Sequence, residues 1–240
     1  MKILCVIPSR IGSTRLARKP LLPIQGKPMI QHVYENARKC ALLTEVLVAT
    51  DSEEIFDLIQ SQGGKAIMTD SAIPSGSHRT AIIAEHFPDM NVIINLQGDE
   101  PFMKPKMLEA LVSSYLQGDM PEMTTLACPL LPEDLNNPSI VKVVTDQHHN
   151  ALYFSRAPIP YFRETIQEVP AYHHLGVYAF RKDFLKIYCE LPETPLGKVE
   201  NLEQLRVLEH GYKIKVNLTH EKTMEINTQE EWEKAQYFKN

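Results

Sequence analysis

The 240-residue chain contains no apolar run approaching the ~20 residues that a membrane-spanning helix requires. Its opening MKILCVIP lacks a full-length apolar signal region and a small-residue cleavage site, and it leads straight into a charged loop. It therefore reads as a buried first strand, with the cytoplasm as the expected compartment. The four cysteines (Cys5, Cys40, Cys128 and Cys189) are scattered and form no CxxC pair, which argues against a zinc site or a disulfide framework. Neither GxxxxGK[ST] nor GxGxxG occurs, so a Walker ATPase and a Rossmann dehydrogenase are poor fits. Excess positive charge is also missing. A net charge of −5 argues against general nucleic-acid binding.

What is present is the composition of a globular enzyme, 43% hydrophobic and 23% charged. Short apolar runs alternate with helix-like segments, the pattern of a mainly parallel sheet with helices on both faces. Strands are expected at 3–8, 45–50, 65–68 and 91–96, with helices over 28–41, from an Asp51 N-cap to residue 62, over 80–87 and over 105–117. From about residue 121 the character changes. Runs at 123–128, 141–145, 151–155 and 175–180 are joined by proline-rich connections and suggest an inserted antiparallel arm over about 121–190. A helix at 202–209, a strand at 213–218 and a helix at 229–237 complete one continuous domain, 1–240.

Charge is distributed unevenly. Residues 1–40 hold eight Lys/Arg against Glu35 alone, or +7, which leaves the rest of the chain at −12. A solvated basic face is the ordinary explanation of such a run. Here, however, the segment RIGSTRLARKP (10–20) follows the first strand, and open α/β sheets bind ligands at the carboxyl ends of their strands. Arg10, Arg15, Arg18 and Lys19, the Ser13 and Thr14 hydroxyls and the close approach allowed by Gly12 together suit a polyphosphate. Arg18 reads equally well as a surface charge. After the 91–96 strand comes QGDEP (97–101). Asp99 there can hold Mg²⁺ beside phosphates, although a strand-end Asp is commonly only a turn residue.

The segments PSRIGSTRLARKPL, GKPMIQHVYENA, VATDSEEI, GGKAIMT, INLQGDEP, ALYFSRAPIP, HLGVYAF and LEQLRVLEHG, in this order, resemble the 3-deoxy-D-manno-octulosonate (Kdo) cytidylyltransferases over essentially the whole chain. The resemblance implies a Rossmann-like nucleotidyltransferase sheet and a Mg²⁺-dependent homodimer whose antiparallel arm serves dimerisation. The expected reaction joins CMP from CTP to an acidic eight-carbon keto sugar for lipopolysaccharide. By resemblance, Arg10, Ser13, Arg15 and Lys19 contact the triphosphate, and Ser75, Gly76, Ser77 and Arg79 match a cytosine-side loop. Asp99 matches the principal metal ligand, and Gln97 lies at the junction of nucleotide and sugar. Arg156, His174, Tyr178, Glu203 and Gln204 match the sugar-acid pocket, and Lys19, Asp99 and Arg10 are the expected catalytic residues. A sugar carboxylate suits a bidentate arginine, and sugar hydroxyls suit mixed donors and acceptors. Taken alone, Tyr178 reads as core packing and His174 as a satisfied structural histidine.

Two departures from the family pattern stand out. His78 occupies the place of a usual Glu, and Asn227 stands where a metal-binding Asp is usual. An amide oxygen can ligate Mg²⁺ but brings no charge. Glu225, two residues earlier on an expected strand, would share its face and could compensate. The rival readings are a cytidylyltransferase for a modified acid such as 8-amino-3,8-dideoxy-manno-octulosonate, a metal-impaired homologue that only binds, and a nucleotide-sugar-dependent glycosyltransferase. The polycationic loop and the lack of a clear DxD pair weigh against the last.

Overall fold

The structure, a computed structural model, describes residues 1–12, 16–161, 163, 171–221 and 223–238. The chain divides into two compact units, one of residues 1–109 with 221–240 and one of residues 110–220.

The first unit is built on β1 (Ile3–Ser9), buried at every position as a central parallel strand should be. A two-residue hairpin, β2 (Pro23–Ile24) and β3 (Lys27–Pro28), precedes α1 (Met29–Arg38), whose buried Met29, Ile30, Val33, Tyr34 and Ala37 form one helical stripe. Then follow β4 (Glu45–Thr50), α2 (Glu53–Ser61), β5 (Ala66–Met68), α3 (Gly76–Glu85) and β6 (Val92–Asn95). Helix α4 (Pro105–Leu111) carries the chain onward. Within this unit the strand order is β6–β1–β4–β5, every pair parallel. All four strands therefore end on one edge, where the loops after Ser9, Thr50 and Asn95 gather.

Two expectations need correction here. The N-cap of α2 is Ser52 and not Asp51. Asp51 serves tertiary structure instead, accepting from the Ile11 N–H at 3.3 Å and lying 3.6 Å from the Arg79 guanidinium. Helix α3 also begins four residues before the expected 80. Ser75 caps it by accepting the His78 N–H at 3.2 Å, so Gly76 and Ser77 enter the first turn.

In the second unit α5 (Ser113–Leu116) is separate from α4, not the end of one helix over 105–117. The Leu111 carbonyl accepts from Thr124 Oγ1 at 2.8 Å and Asn217 Nδ2 at 2.9 Å, side-chain bonds that compete with the helical ladder. β7 (Met123–Pro129), β8 (Lys142–Thr145), β9 (Ala151–Ser155) and β10 (Tyr172–Arg181) follow, then α6 (Lys182–Glu190), α7 (Pro195–Glu200), α8 (Leu205–Glu209) and β11 (Ile214–Leu218). β7 pairs antiparallel with β10, β10 with β8 and β8 with β9, as an antiparallel arm should, while β11 joins β7 in parallel. Helices α6 and α7 have no counterpart in the sequence reading, although buried Phe184, Leu185 and Tyr188 carry a helical spacing in α6.

The chain closes in the first unit with α9 (Gln229–Ala235), opened by a capping box between Thr228 and Glu231. No strand forms at 223–227, where one was expected to carry Glu225. Among the described residues no helix is long and apolar enough to cross a membrane.

Candidate active site

The carboxyl edge of the first unit gathers a cation among acids. Lys19 opens a short 3-10 turn (Lys19–Leu21) after Arg18, whose left-handed backbone (φ 53°) reverses the chain. Its ammonium donates to Asp99 Oδ2 at 2.7 Å and to Asn227 Oδ1 at 3.0 Å. Both Lys19 and Asp99 are largely withdrawn from solvent, at 16% and 18% side-chain exposure, so their attraction escapes much of the screening that weakens surface pairs. Asp99 Oδ1, by contrast, is buried with no hydrogen-bond partner among the described residues. Arg18 pairs with Glu54 at the surface.

The 97–101 turn reaches this place because residue 98 is glycine. A Cβ there would meet the Pro8 carbonyl oxygen at 3.2 Å. The C-terminal segment is laid across the same turn by three bonds. Thr223 Oγ1 donates to Glu100 Oε2 at 2.9 Å, the Ile226 N–H to the Asp99 carbonyl at 3.0 Å, and Asn227 closes the contact through Lys19. Apolar packing of Leu16, Ile24, Met29, Phe102, Ile226 and Ala235 lies under this arrangement. Asn227 is fixed at both ends, its Nδ2 donating to Glu225 Oε1 and its backbone N–H to Glu231 Oε2 at 2.7 Å.

This crowding of acids has electrostatic consequences. Burial, reinforced by Glu225 and Asp99, pushes the Glu100 carboxyl up to about 8. Burial and then Asp99 also raise Glu225, against the amide of Asn227. A neutral residue at 227 is thus consistent with a cluster already near its limit of negative charge. Neither Glu100 nor Thr223 stood out in the sequence, because the burial that gives them their character is tertiary. Among the described residues no group of three or more His, Cys, Asp or Glu side chains is placed to hold a metal ion. Mg²⁺ does not need one. It takes one or two carboxylates and completes its shell with water and phosphate oxygens. The orphaned Asp99 Oδ1 and the Asn227 amide oxygen are oxygen donors of that type, so the residues fit the ion.

The other first-unit residues converge on the same edge. The first turn of α3 abuts the end of β1: a Cβ on Gly76 would lie 3.1 Å from Pro8 Cγ and 3.5 Å from Gln97 Oε1. Ser75 caps α3 and Ser77 accepts from Asn95 Nδ2 at 3.2 Å in the interior. Arg79 is wholly buried and donates to Thr69 Oγ1, with Asp51 beside it. Burial lowers its pKa, and the nearby Arg10 adds to that against Asp51. Arg10 itself donates to the Ile73 carbonyl. Ser13 and Arg15 lie outside the described residues.

The second unit holds the remaining candidates. Arg156, at the end of β9, donates Nε to the Glu200 carbonyl at 2.9 Å, Nη1 to Pro138 at 3.1 Å and Nη2 to Asn201 at 3.5 Å. Three of its five N–H groups are thus engaged among the described residues. His174 and Tyr178, both on β10 and buried, lie with ring centroids 5.7 Å apart, and Phe154 meets His174 edge-on at 4.8 Å. Burial, then His173, pushes the His174 imidazole down to about 3, so it is neutral. Gln204 is buried with Nε2 unpartnered among the described residues, while Glu203 is exposed.

Comparison with known proteins is consistent with this chemistry. A family model described as cytidylyltransferase matches residues 4–214. The chain is 52% identical over 239 residues to a 3-deoxy-manno-octulosonate cytidylyltransferase of Acaryochloris marina, covering 99% of this chain and 97% of that one. The like-named protein of Synechococcus elongatus is 49% identical, with 98% and 97% covered. An 8-amino-3,8-dideoxy-manno-octulosonate cytidylyltransferase of Shewanella frigidimarina is 44% identical, with 98% of each covered. Among solved structures, a CMP:2-keto-3-deoxy-manno-octonic acid synthetase complexed with CTP superposes with a TM-score of 0.92 at 41% identity, covering 99% of this chain and 98% of that one.

Proposed function

The chain belongs to the 3-deoxy-manno-octulosonate cytidylyltransferase family, and on that premise we propose that it transfers CMP from CTP to the anomeric hydroxyl of 3-deoxy-D-manno-octulosonate, releasing pyrophosphate. The sugar oxygen forms a bond to the α-phosphorus as the bond from that phosphorus to the β-phosphate oxygen breaks, and the hydroxyl proton leaves to solvent. The observation that carries the reading is the Lys19 ammonium held by Asp99 and Asn227 beside an Asp99 oxygen that has no partner among the described residues.

Phosphoryl transfer asks a protein mainly for positioning and for neutralisation of charge on the phosphates and leaving group. Lys19 supplies a point charge at that edge, and Arg10 a second cation. Asp99 and Asn227 would hold Mg²⁺, which when bound neutralises phosphate oxygens. The turn that opens α3, with Ser75, Gly76 and Ser77, takes the cytosine side over a buried Arg79. Gln97 stands next to it. The two N–H groups of Arg156 without a partner among the described residues take the sugar carboxylate, while His174, Tyr178, Glu203 and Gln204 take its hydroxyls. The resemblance supports a cytoplasmic homodimer working in lipopolysaccharide synthesis.

Pyrophosphate release tests this. With Mg²⁺ and 3-deoxy-D-manno-octulosonate, CTP should outperform UTP, ATP and GTP, and a purine nucleotide as best donor would overturn the reading. Exchanging the sugar for its 8-amino analogue decides the alternative raised by the Shewanella relative. An absence of turnover with either sugar would favour a protein that only binds.

A further inference from the structure

The ladder between β7 and β10 is irregular at one point. Leu175 pairs with Leu126 and Tyr178 with Thr125, so Gly176 and Val177 are extra residues on β10. Four residues of regular strand would separate His174 from Tyr178 by ~13 Å. The bulge compresses them to two ladder steps, and preserves their common face because two residues are added rather than one. Their rings thereby come to 5.7 Å. Bulges of this kind re-aim side chains beside active sites.

Thr125 sits at the bulge with its side chain wholly buried. Its Oγ1 lies 2.9 Å from the Val177 carbonyl, 3.2 Å from the Leu175 carbonyl and 3.0 Å from His174 Nε2. A hydroxyl has one proton, and carbonyl oxygens only accept. If that proton went to His174, both carbonyls would face an oxygen with no hydrogen between them. It therefore belongs to the carbonyls, and His174 Nε2 must carry the hydrogen that Oγ1 accepts. A neutral imidazole with Nε2–H has an unprotonated Nδ1, and the ring's depressed pKa agrees with neutrality.

We propose that Thr125 is the positioning residue of the sugar pocket: its hydroxyl closes the bulge that brings His174 to Tyr178 and holds His174 as the Nε2–H tautomer, leaving Nδ1 to accept a hydrogen bond from a sugar hydroxyl. The role of Nδ1 rests on the sugar reading above, while the tautomer and the bulge stand independently of it. Thr125→Val keeps the shape and removes the hydroxyl, and Thr125→Ser keeps the hydroxyl.

The test combines ¹⁵N-imidazole NMR on the full chain, with His174→Gln to assign the signal, and steady-state kinetics. Wild type and Thr125→Ser should show His174 protonated at Nε2. Thr125→Val should lose that single form and raise KM for the sugar at least about tenfold, with KM for CTP changed less than about twofold. An Nδ1–H tautomer in the wild type would overturn the inference even if Thr125→Val failed to fold, as would a Thr125→Val protein with unchanged tautomer and sugar KM. If Thr125→Val loses the tautomer but leaves sugar KM unmoved, the assignment of Thr125 to the sugar pocket falls, while the hydrogen bond to His174 stands.

Discussion

The two units solve the problem of a buried polar site in opposite ways. In the first, Lys19 is set among Asp99, Glu100 and Glu225, and the excess of acid is relieved by raising the Glu100 and Glu225 carboxyls. In the second, Thr125, His174 and Tyr178 are buried with no ionised group among them. On the proposed reading, a polyphosphate and a metal need charge that can be exchanged for theirs. Sugar hydroxyls need donors and acceptors fixed in place, and neutral groups can be buried for that at far lower desolvation cost.

The contrast can be broken most severely at Asp99. Asp99→Asn keeps the shape but removes the charge paired with Lys19, and kcat should fall about a thousandfold, ~4 kcal/mol. Retained turnover would remove Asp99 from the chemistry.

Opposite pH responses should follow from the two kinds of burial. His174 has a folded pKa near 3 against 6.5. The unfolded chain therefore binds more protons in that window, and stability present above pH 6.5 is lost as pH falls, by at most about 1.4 kcal/mol per unit. Glu100 has a folded pKa near 8 against 4.5, so the native state binds more protons and stability is lost as pH rises between those values. Urea midpoints for metal-free protein across pH 5–8 should flatten on the acid side in His174→Gln and on the alkaline side in Glu100→Gln. Unchanged slopes in both variants would refute this account of the two sites.

Lys19→Ala should lower kcat/KM at least about tenfold, ~1.4 kcal/mol. A large loss of Tm with intact kinetics would instead make the lysine structural. The smallest effect concerns Asn227. Asn227→Asp adds charge at the proposed Mg²⁺ site but exchanges a bond to Glu225 for a repulsion. The Mg²⁺ concentration for half activity should fall only about two- to threefold, and more if Glu225→Gln is added. A curve that does not move would show that residue 227 does not touch the ion.

Much of the frame was legible in the chain. β4 and β9 occupy the expected 45–50 and 151–155, because an apolar run ended by turn residues leaves a strand few alternatives. Lys19 and Asp99 were also legible as partners of one edge, since both follow strands of a parallel sheet. Helix α3 starts ahead of the expected residue 80 because capping by Ser75 outweighs the weak helix propensity of Gly76 and Ser77. The break between α4 and α5 was invisible because it depends on Thr124 and on Asn217, over a hundred residues away.

What the sequence determined by itself is local and periodic: strand runs, amphipathic stripes, a cluster of cations and the order of the family's segments. What only the tertiary structure decided is which polar atoms share a buried space. Asn227 meets Lys19 across 208 positions and Thr125 meets His174 across 49. The protonation states of Glu100 and His174 follow from desolvation and from neighbours brought by the fold. Periodicity sets which face a side chain takes, but the dielectric around it and the donor opposite it exist only once distant segments have packed.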